Sequence, residues 1–262
     1  MPPYRGGATM TTNVIDFHKA LIACDSRWSA LLGNEHFVYL DDTGFDKIVV
    51  RDSLCAIFAG DLILIDGWKN WICSQDAQPA LPDTTRTDLK TNTQVFMQVC
   101  LIDRANRQAK FYGAPYQALA SGFFFGGTGA AFAMQCFLQN QCSKRAVESA
   151  ALGDVYTGGA TLFFELETST NNLSKQQVTL KELEAQILPR GMVMHKQTKN
   201  VTTLKEFQQK PEAGSLLNGF SLSAPCGGPQ RAWSQMERDD AEQFVRFVVQ
   251  RDKQKKSDAA ND

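Results

Sequence analysis

Short apolar runs of strand length, each closed by turn residues, constrain this chain more than any other feature. Residues 12–17 and 20–24 are extended runs split by His18 and Lys19, the pattern of a tight hairpin. Residues 37–40 and 47–50, on either side of Asp41, Asp42, Thr43 and Gly44, predict a second antiparallel pair. Residues 53–58 read as a buried strand ending at Ala59 and Gly60. Asp61 then stands where a helix would be capped, and Leu64, Ile65, Trp68, Trp71 and Ile72 recur at helical spacing behind it. Residues 74–93 are polar, hold Pro79 and Pro82, and predict a loop.

Residues 94–102 and 109–112 bracket the turn-like stretch 103–107 and predict another hairpin. Residues 123–125 form an apolar strand running into Gly126, Gly127, Thr128 and Gly129, with a helix expected over 130–139. Ser143 is positioned to cap a second helix through Leu152, and a strand over 160–166 follows Gly158 and Gly159. Helices inserted between blocks of antiparallel strands predict a layered sandwich rather than alternating βαβ units. Residues 169–262 read as a C-terminal extension with polar connectors at 171–174 and 196–200 and a Pro/Gly-rich stretch at 223–230. Its amphipathic stretches 180–188 and 232–249 predict helices, and the polar tail 251–262 is expected to fray.

Bulk composition narrows the function classes. The chain has 262 residues, 43% hydrophobic and 21% charged, with a net charge of −1. That balance gives no electrostatic case for nucleic acid or an anionic membrane. No apolar run reaches spanning length, and residues 1–10 carry no apolar core of a secretory signal. The seven cysteines form no CxxC pair and sit mostly in apolar stretches, as buried thiols of a cytoplasmic protein do. His18, His36 and His195 have no metal-like partner at helical spacing, so neither a metal site nor a cofactor is expected. Gly126–Gly129 lacks the Lys-Ser or Lys-Thr of a phosphate loop.

Met10-Thr11-Thr12 carries the chemistry. A threonine hydroxyl is a weak nucleophile that needs a base. At a chain terminus the residue's own α-amine, with a pKa of about 7.7–8.0, supplies one near operating pH. While residues 1–10 remain attached, that nitrogen is an amide and accepts no proton. Use of Thr11 therefore requires cleavage between Met10 and Thr11, or translation from Met10 followed by removal of that methionine. A buried lysine near the amine would lower its proton affinity, and a carboxylate would keep the lysine charged; Lys47 and Asp25 are the candidates. Without such an amine, the same pair is an ordinary salt bridge at a sheet end.

Thr11-Thr12, then Ala23-Cys24-Asp25-Ser26-Arg27, Lys47 and Phe58-Ala59-Gly60 follow one another in a telling order. Gly127-Thr128-Gly129 with Phe132-Ala133, and Asp154-Val155-Tyr156-Thr157-Gly158-Gly159 after Ala150-Ala151, complete the series. Together they resemble proteasome β subunits and the bacterial peptidase HslV over residues 11 to about 166. The resemblance implies an α+β fold, the N-terminal-nucleophile (Ntn) hydrolase four-layer αββα sandwich of antiparallel sheets, over residues 11–168. Residues 1–10 would be a leader or a mis-assigned start. It implies Thr11 as nucleophile and base, Asp25 and Lys47 as groups tuning its amine, and Thr128, Asp154 and Thr157 as groups holding the terminus. The Gly60 N–H would receive the oxyanion, Ser29 would contact substrate backbone, and Trp28, Phe45, Val49 and Phe58 would line a small apolar specificity pocket.

The resemblance further implies a threonine endopeptidase acting on polypeptide, assembled as a homo-oligomeric ring and served by an ATP-dependent unfoldase. Four departures accompany it. The first hairpin is two residues shorter, an even change that preserves side-chain facing. Thr128 replaces a serine, the loop 74–93 stands where a long helix is expected, and the chain beyond residue 168 is longer. These leave two alternatives open: a catalytically inactive proteasome-like structural or interaction subunit, and a small-molecule Ntn amidase.

Overall fold

The computed structural model describes residues 11–74, 79–89, 92–113, 116–176, 178–211, 213–217, 222–224 and 231–261. The Met10–Thr11 junction lies outside them, as does Cys226. Alternation along the strands decides the architecture. In the strand Leu54–Asp61, Cys55 and Ile57 face one apolar layer while Ala56 and Phe58 face another. A strand buried on both faces in this way must have a second sheet on one side and helices on the other.

The first hairpin forms as expected, from β1 (Thr12–Asp16) and β2 (Leu21–Asp25), with Asn13 opposite Cys24. The pair predicted next does not form. Trp28–Leu32 is itself a strand, β3, and its partner is β4 (His36–Leu40). β5 (Ile48–Arg51) turns instead to β6 (Leu54–Asp61) through a two-residue connection. The segment 41–47, with Gly44 in the left-handed region (φ 78°), carries the chain across rather than folding it back. Helix α1 (Leu62–Cys73) begins as the sequence predicts: Asp61 accepts from the amides of Ile63 and Leu64 at 3.1 and 3.2 Å.

The stretch read as a loop over 74–93 contains β7 (Thr85–Asp88), a polar edge strand paired with β8 (Thr93–Asp103). β8 and β9 (Gln108–Tyr112) form the expected hairpin. β10 (Gln117–Ala120) and β11 (Phe123–Gly127) follow, then α2 (Ala130–Asn140), α3 (Ser143–Gly153) and β12 (Thr161–Glu165). The residue before α3 is Cys142; Ser143 does not cap it but donates its hydroxyl to Asp16 at 3.0 Å.

After residue 168 come α4 (Leu180–Arg190), β13 (Met192–His195), β14 (Val201–Thr203), α5 (Leu204–Phe207), α6 (Ala213–Leu216), β15 (Ser223–Ala224) and α7 (Gln235–Asn261). The tail expected to fray is helical to Asn261. Arg251 is paired with Asp103 at 2.5 Å, and Asp252 accepts from the Ser53 amide at 2.8 Å.

Two antiparallel sheets result among the described residues. One has the order β10-β11-β1-β2-β12; the other runs β14-β13-β4-β3-β15-β6-β8-β7, with β5 on β6 and β9 on β8. Ile15, Ile22, Cys24, Ile57, Cys100 and Ile102 fill the space between them. α2 and α3 cover the outer face of the first sheet through Ala133, Phe137, Ala146 and Ala150 against Val14 and Ala23. α1 and α7 cover the second through Ile65, Trp68, Val245 and Val248 against Phe58 and Val99. This is the α+β, four-layer αββα sandwich that the sequence led us to expect. The strands β13, β14 and β15 belong to the same ten-stranded sheet as β3 and β6.

Candidate active site

Three side chains from separate parts of the chain meet at the end of the first hairpin. Register places Thr11 one residue before β1 and Asp25 at the end of β2, so both lie at the same end of the hairpin. Lys47 stands just ahead of β5, where its carbonyl accepts the Phe58 amide at 2.9 Å. Thr11 Oγ1 donates to Asp25 Oδ1 and accepts from Lys47 Nζ at 2.6 Å, while Lys47 Nζ lies 3.0 Å from Asp25 Oδ2. Thr11 and Lys47 are 0% exposed and Asp25 is 1% exposed. A buried ion pair of this kind persists when its remaining valences are filled. Asp25 fills them with the amides of Thr12, Arg27 and Gly158, at 2.8, 3.1 and 3.4 Å.

The neighbours of Asp25 are locked to one turn. Ser26 donates to Asp42 at 2.6 Å, and Arg27 clasps both carboxylate oxygens of Asp41 at 2.8 and 2.7 Å while donating to the Val155 carbonyl. The adjacent carboxylates Asp41 and Asp42 were visible in the sequence, but nothing local indicated that they position residue 25.

Thr128, Asp154 and Thr157 also converge. Asp154 Oδ2 accepts from Thr157 Oγ1 at 2.7 Å and from Thr128 Oγ1 at 3.1 Å, and Asp154 Oδ1 accepts from the Tyr156 amide. Burial raises the Asp154 pKa above the ordinary carboxylate value, and these donors offset part of that rise. The trio reaches the start of β1 through Thr157 Oγ1, 2.8 Å from Thr12 Oγ1, and next to Thr128 the Gly129 amide donates to the Thr11 carbonyl at 3.3 Å. Gly127 makes that approach possible. Its φ is 81°, and a Cβ there would overlap the Thr11 carbonyl oxygen.

Gly60 has φ 121°, and a Cβ would press on the backbone of Phe96 and Met97. Its register partner on one side is Met97 of β8, and on the other Ala224 of β15. Ser29 pairs with Tyr39 of β4 and Ser223 of β15, and its buried hydroxyl has no hydrogen-bond partner among the described residues. Trp28, Phe45, Val49 and Phe58 share one apolar cluster, and Trp28 Nε1 donates to the Phe45 carbonyl at 2.9 Å. None of the four is more than 3% exposed, so all four are buried within that cluster. One surface cavity, of about 600 Å³, lies elsewhere, lined by Asp16, His18, Phe123 and Phe137; another, of about 380 Å³, has Val49 in its lining beside Asp46, Val50 and Asn171.

Sequence reasoning missed two contributors. Asn13 is fully buried and donates to the Phe58 carbonyl at 3.3 Å and Tyr116 Oη at 3.2 Å, tying β1 to β6. A polar residue inside the first extended run was the signal. Ser223 and Ala224, read as part of the Pro/Gly-rich stretch 223–230, lie against Ser29 and Gly60 respectively. Among the described residues no group of histidine, cysteine and carboxylate side chains could hold a metal ion.

No protein-family model matches this chain, and no curated protein sequence matches it. The solved structures to which the chain is similar include two with the following measures. One is Thiobacillus denitrificans BPH in complex with epoxomicin, at 14% identity and a TM-score of 0.39, covering 60% of this chain and 99% of that one. The other is eukaryotic HslV from Trypanosoma brucei, at 16% identity and a TM-score of 0.34, covering 58% of this chain and 97% of that one.

Proposed function

We propose that the protein is a threonine-type endopeptidase of the proteasome-like kind, with Thr11 as its nucleophile once residues 1–10 are removed. One observation carries this reading: the Thr11 hydroxyl sits between the Lys47 ammonium and the Asp25 carboxylate. In the proposed reaction the freed α-amine takes the proton from Oγ1 as that oxygen attacks the scissile carbonyl. The tetrahedral oxyanion is met by the Gly60 N–H. The amine then protonates the departing peptide nitrogen, leaving an ester on Thr11, which water hydrolyses. Lys47 favours the unprotonated amine by like charge, and Asp25 balances Lys47.

Thr128, Asp154 and Thr157 hold residues 11 and 12 in place for this step. Ser29 serves the substrate backbone, and Trp28, Phe45, Val49 and Phe58, buried in this structure, form the wall that a substrate side chain meets once their cluster opens. Polypeptide substrate, ring assembly of identical copies, an ATP-driven unfoldase and a cytoplasmic setting belong to the same proposal. No described helix is long and apolar enough to cross a membrane.

Intact-mass measurement and labelling with a β-lactone test the reading together. The expected result is a mature chain beginning at Thr11 that gains one adduct, with no adduct on Thr11→Ala. A mature chain that retains residues 1–10 and takes no label overturns it. That outcome favours the second reading, a catalytically silent subunit, for which the complete burial of Thr11 speaks.

A further inference from the structure

The strands β3 and β6 belong to one sheet, yet their facing edges are bridged by β15. Ser223 is opposite Ser29 on one side and Asp61 on the other, and Ala224 is opposite Gly60. The Leu62 amide donates to the Leu222 carbonyl at 3.3 Å, and Ser223 Oγ donates to the Ser29 carbonyl at 3.2 Å. The edge of β6 is divided between two strands: β5 pairs with Leu54 to Ile57, and β15 takes over at Gly60 and Asp61. Lifting residues 222–224 away would leave a slot one strand wide, with unpaired main-chain groups on both walls. Such a slot is the geometry that binds an extended peptide by strand addition.

The walls of the slot lie on segments that continue from those carrying the candidate site. Ser29 lies four residues beyond Asp25, and Gly60 lies two residues beyond Phe58, whose amide is bonded to the Lys47 carbonyl. Leu222, Ser223 and Ala224 are 2%, 8% and 0% exposed, so they lie sunk between the walls. With two ladder positions, β15 makes few bonds of its own. It is held at high effective concentration because it is part of the same chain.

We infer that residues 222–224 are a built-in occupant of the peptide-binding slot, an internal strand that an incoming polypeptide must displace to reach Thr11. This rests on the reading of Thr11 as nucleophile, and it adds an autoinhibitory contact to that site. Ser223→Pro removes an amide from the strand and should free the slot.

The test uses the full chain and two readouts: anisotropy of a fluorescent, non-cleavable extended apolar peptide, and β-lactone labelling of Thr11. Ser223→Pro is expected to bind the peptide about tenfold or more tightly and to label faster than the parent. The variant Ser29→Cys/Ser223→Cys, compared only with itself, keeps the question answerable if the proline variant does not fold. Its oxidised form should exclude the peptide and its reduced form admit it. Equal binding and equal labelling in parent and Ser223→Pro, or equal binding in the oxidised and reduced forms, overturns the inference and leaves the peptidase reading standing. Tighter peptide binding with no label on Thr11 in any form upholds the slot and its internal occupant but removes the peptidase reading, and with it the autoinhibitory role.

Discussion

Lys47 Nζ lies 3.0 Å from Asp25 Oδ2, and neither side chain touches solvent to any useful extent, at 0% and 2% of its surface. Bringing two charges out of water costs several kcal/mol per ion, about what their attraction returns. The pair is therefore a weak source of stability but a severe liability when halved.

Asp25→Asn strands the Lys47 ammonium, and Lys47→Met strands the Asp25 carboxylate. Each is expected to cost about 3–5 kcal/mol in urea unfolding and to abolish labelling of Thr11. The double variant should recover most of that stability while remaining inactive. A coupling energy near zero in this cycle would show that the two groups do not act as a pair.

Gly127→Ala should fail for a backbone reason. The residue has φ 81°, and a methyl group there collides with the Thr11 carbonyl oxygen. The expected loss is about 4 kcal/mol or more, read as a collapse of the thermal midpoint. Gly214→Ala is the control: nothing lies within 4 Å of its added Cβ. It should shift stability by roughly 0.5 kcal/mol or less.

Lys69 takes no part in the proposed proton transfer and offers a pH test. Burial pulls its pKa down from 10.5 to about 8, with Asp46 and Asp66 opposing the fall. Its Nζ donates to the Asp46 carbonyl at 2.7 Å and lies 3.8 Å from the Phe45 ring centre. Below about pH 8 native and unfolded chains both carry the charge, so the burial cost is present in full. Between about 8 and 10.5 the unfolded chain holds a proton that the native one has released, so this group's contribution to stability rises with pH. The stability gap between parent and Lys69→Met should change in the parent's favour across that window, by on the order of 3 kcal/mol. A flat difference would contradict the assignment.

What the sequence disclosed, and what it withheld, divides by the range of the contacts. The first hairpin, the Asp61 cap and the helical spacing of Trp68 and Ile72 were legible because each is decided within one turn or one strand pair. The pairing of β4 was misread because its partners are β3 before it and β13 more than a hundred residues later. Residues 28–32 were not read as a strand, which left 47–50 as the apparent partner although a seven-residue crossing intervenes. β7 is a polar edge strand whose Thr and Arg residues carry no apolar alternation. β15 has no strand signal because its extended form is imposed by two neighbouring edges. In the candidate site, Thr11, Asp25, Lys47, Thr128, Asp154 and Thr157 were each nameable in advance. The burial of Trp28, Phe45, Val49 and Phe58 within one cluster was not, since packing density cannot be read from residue types.

The space between the two sheets holds Cys24, Cys55 and Cys100, each fully buried, with burial pushing every one of these thiols upward and Cys55 to about 12. Thiolate is the reactive form, so alkylating reagents meet inert sulfur there for as long as the sandwich stays shut. Cys24 adjoins Asp25 in the chain. The pace at which its sulfur becomes modifiable thus clocks how often the sheets part beside the candidate site, an intrinsic reporter of opening that needs neither substrate nor added probe.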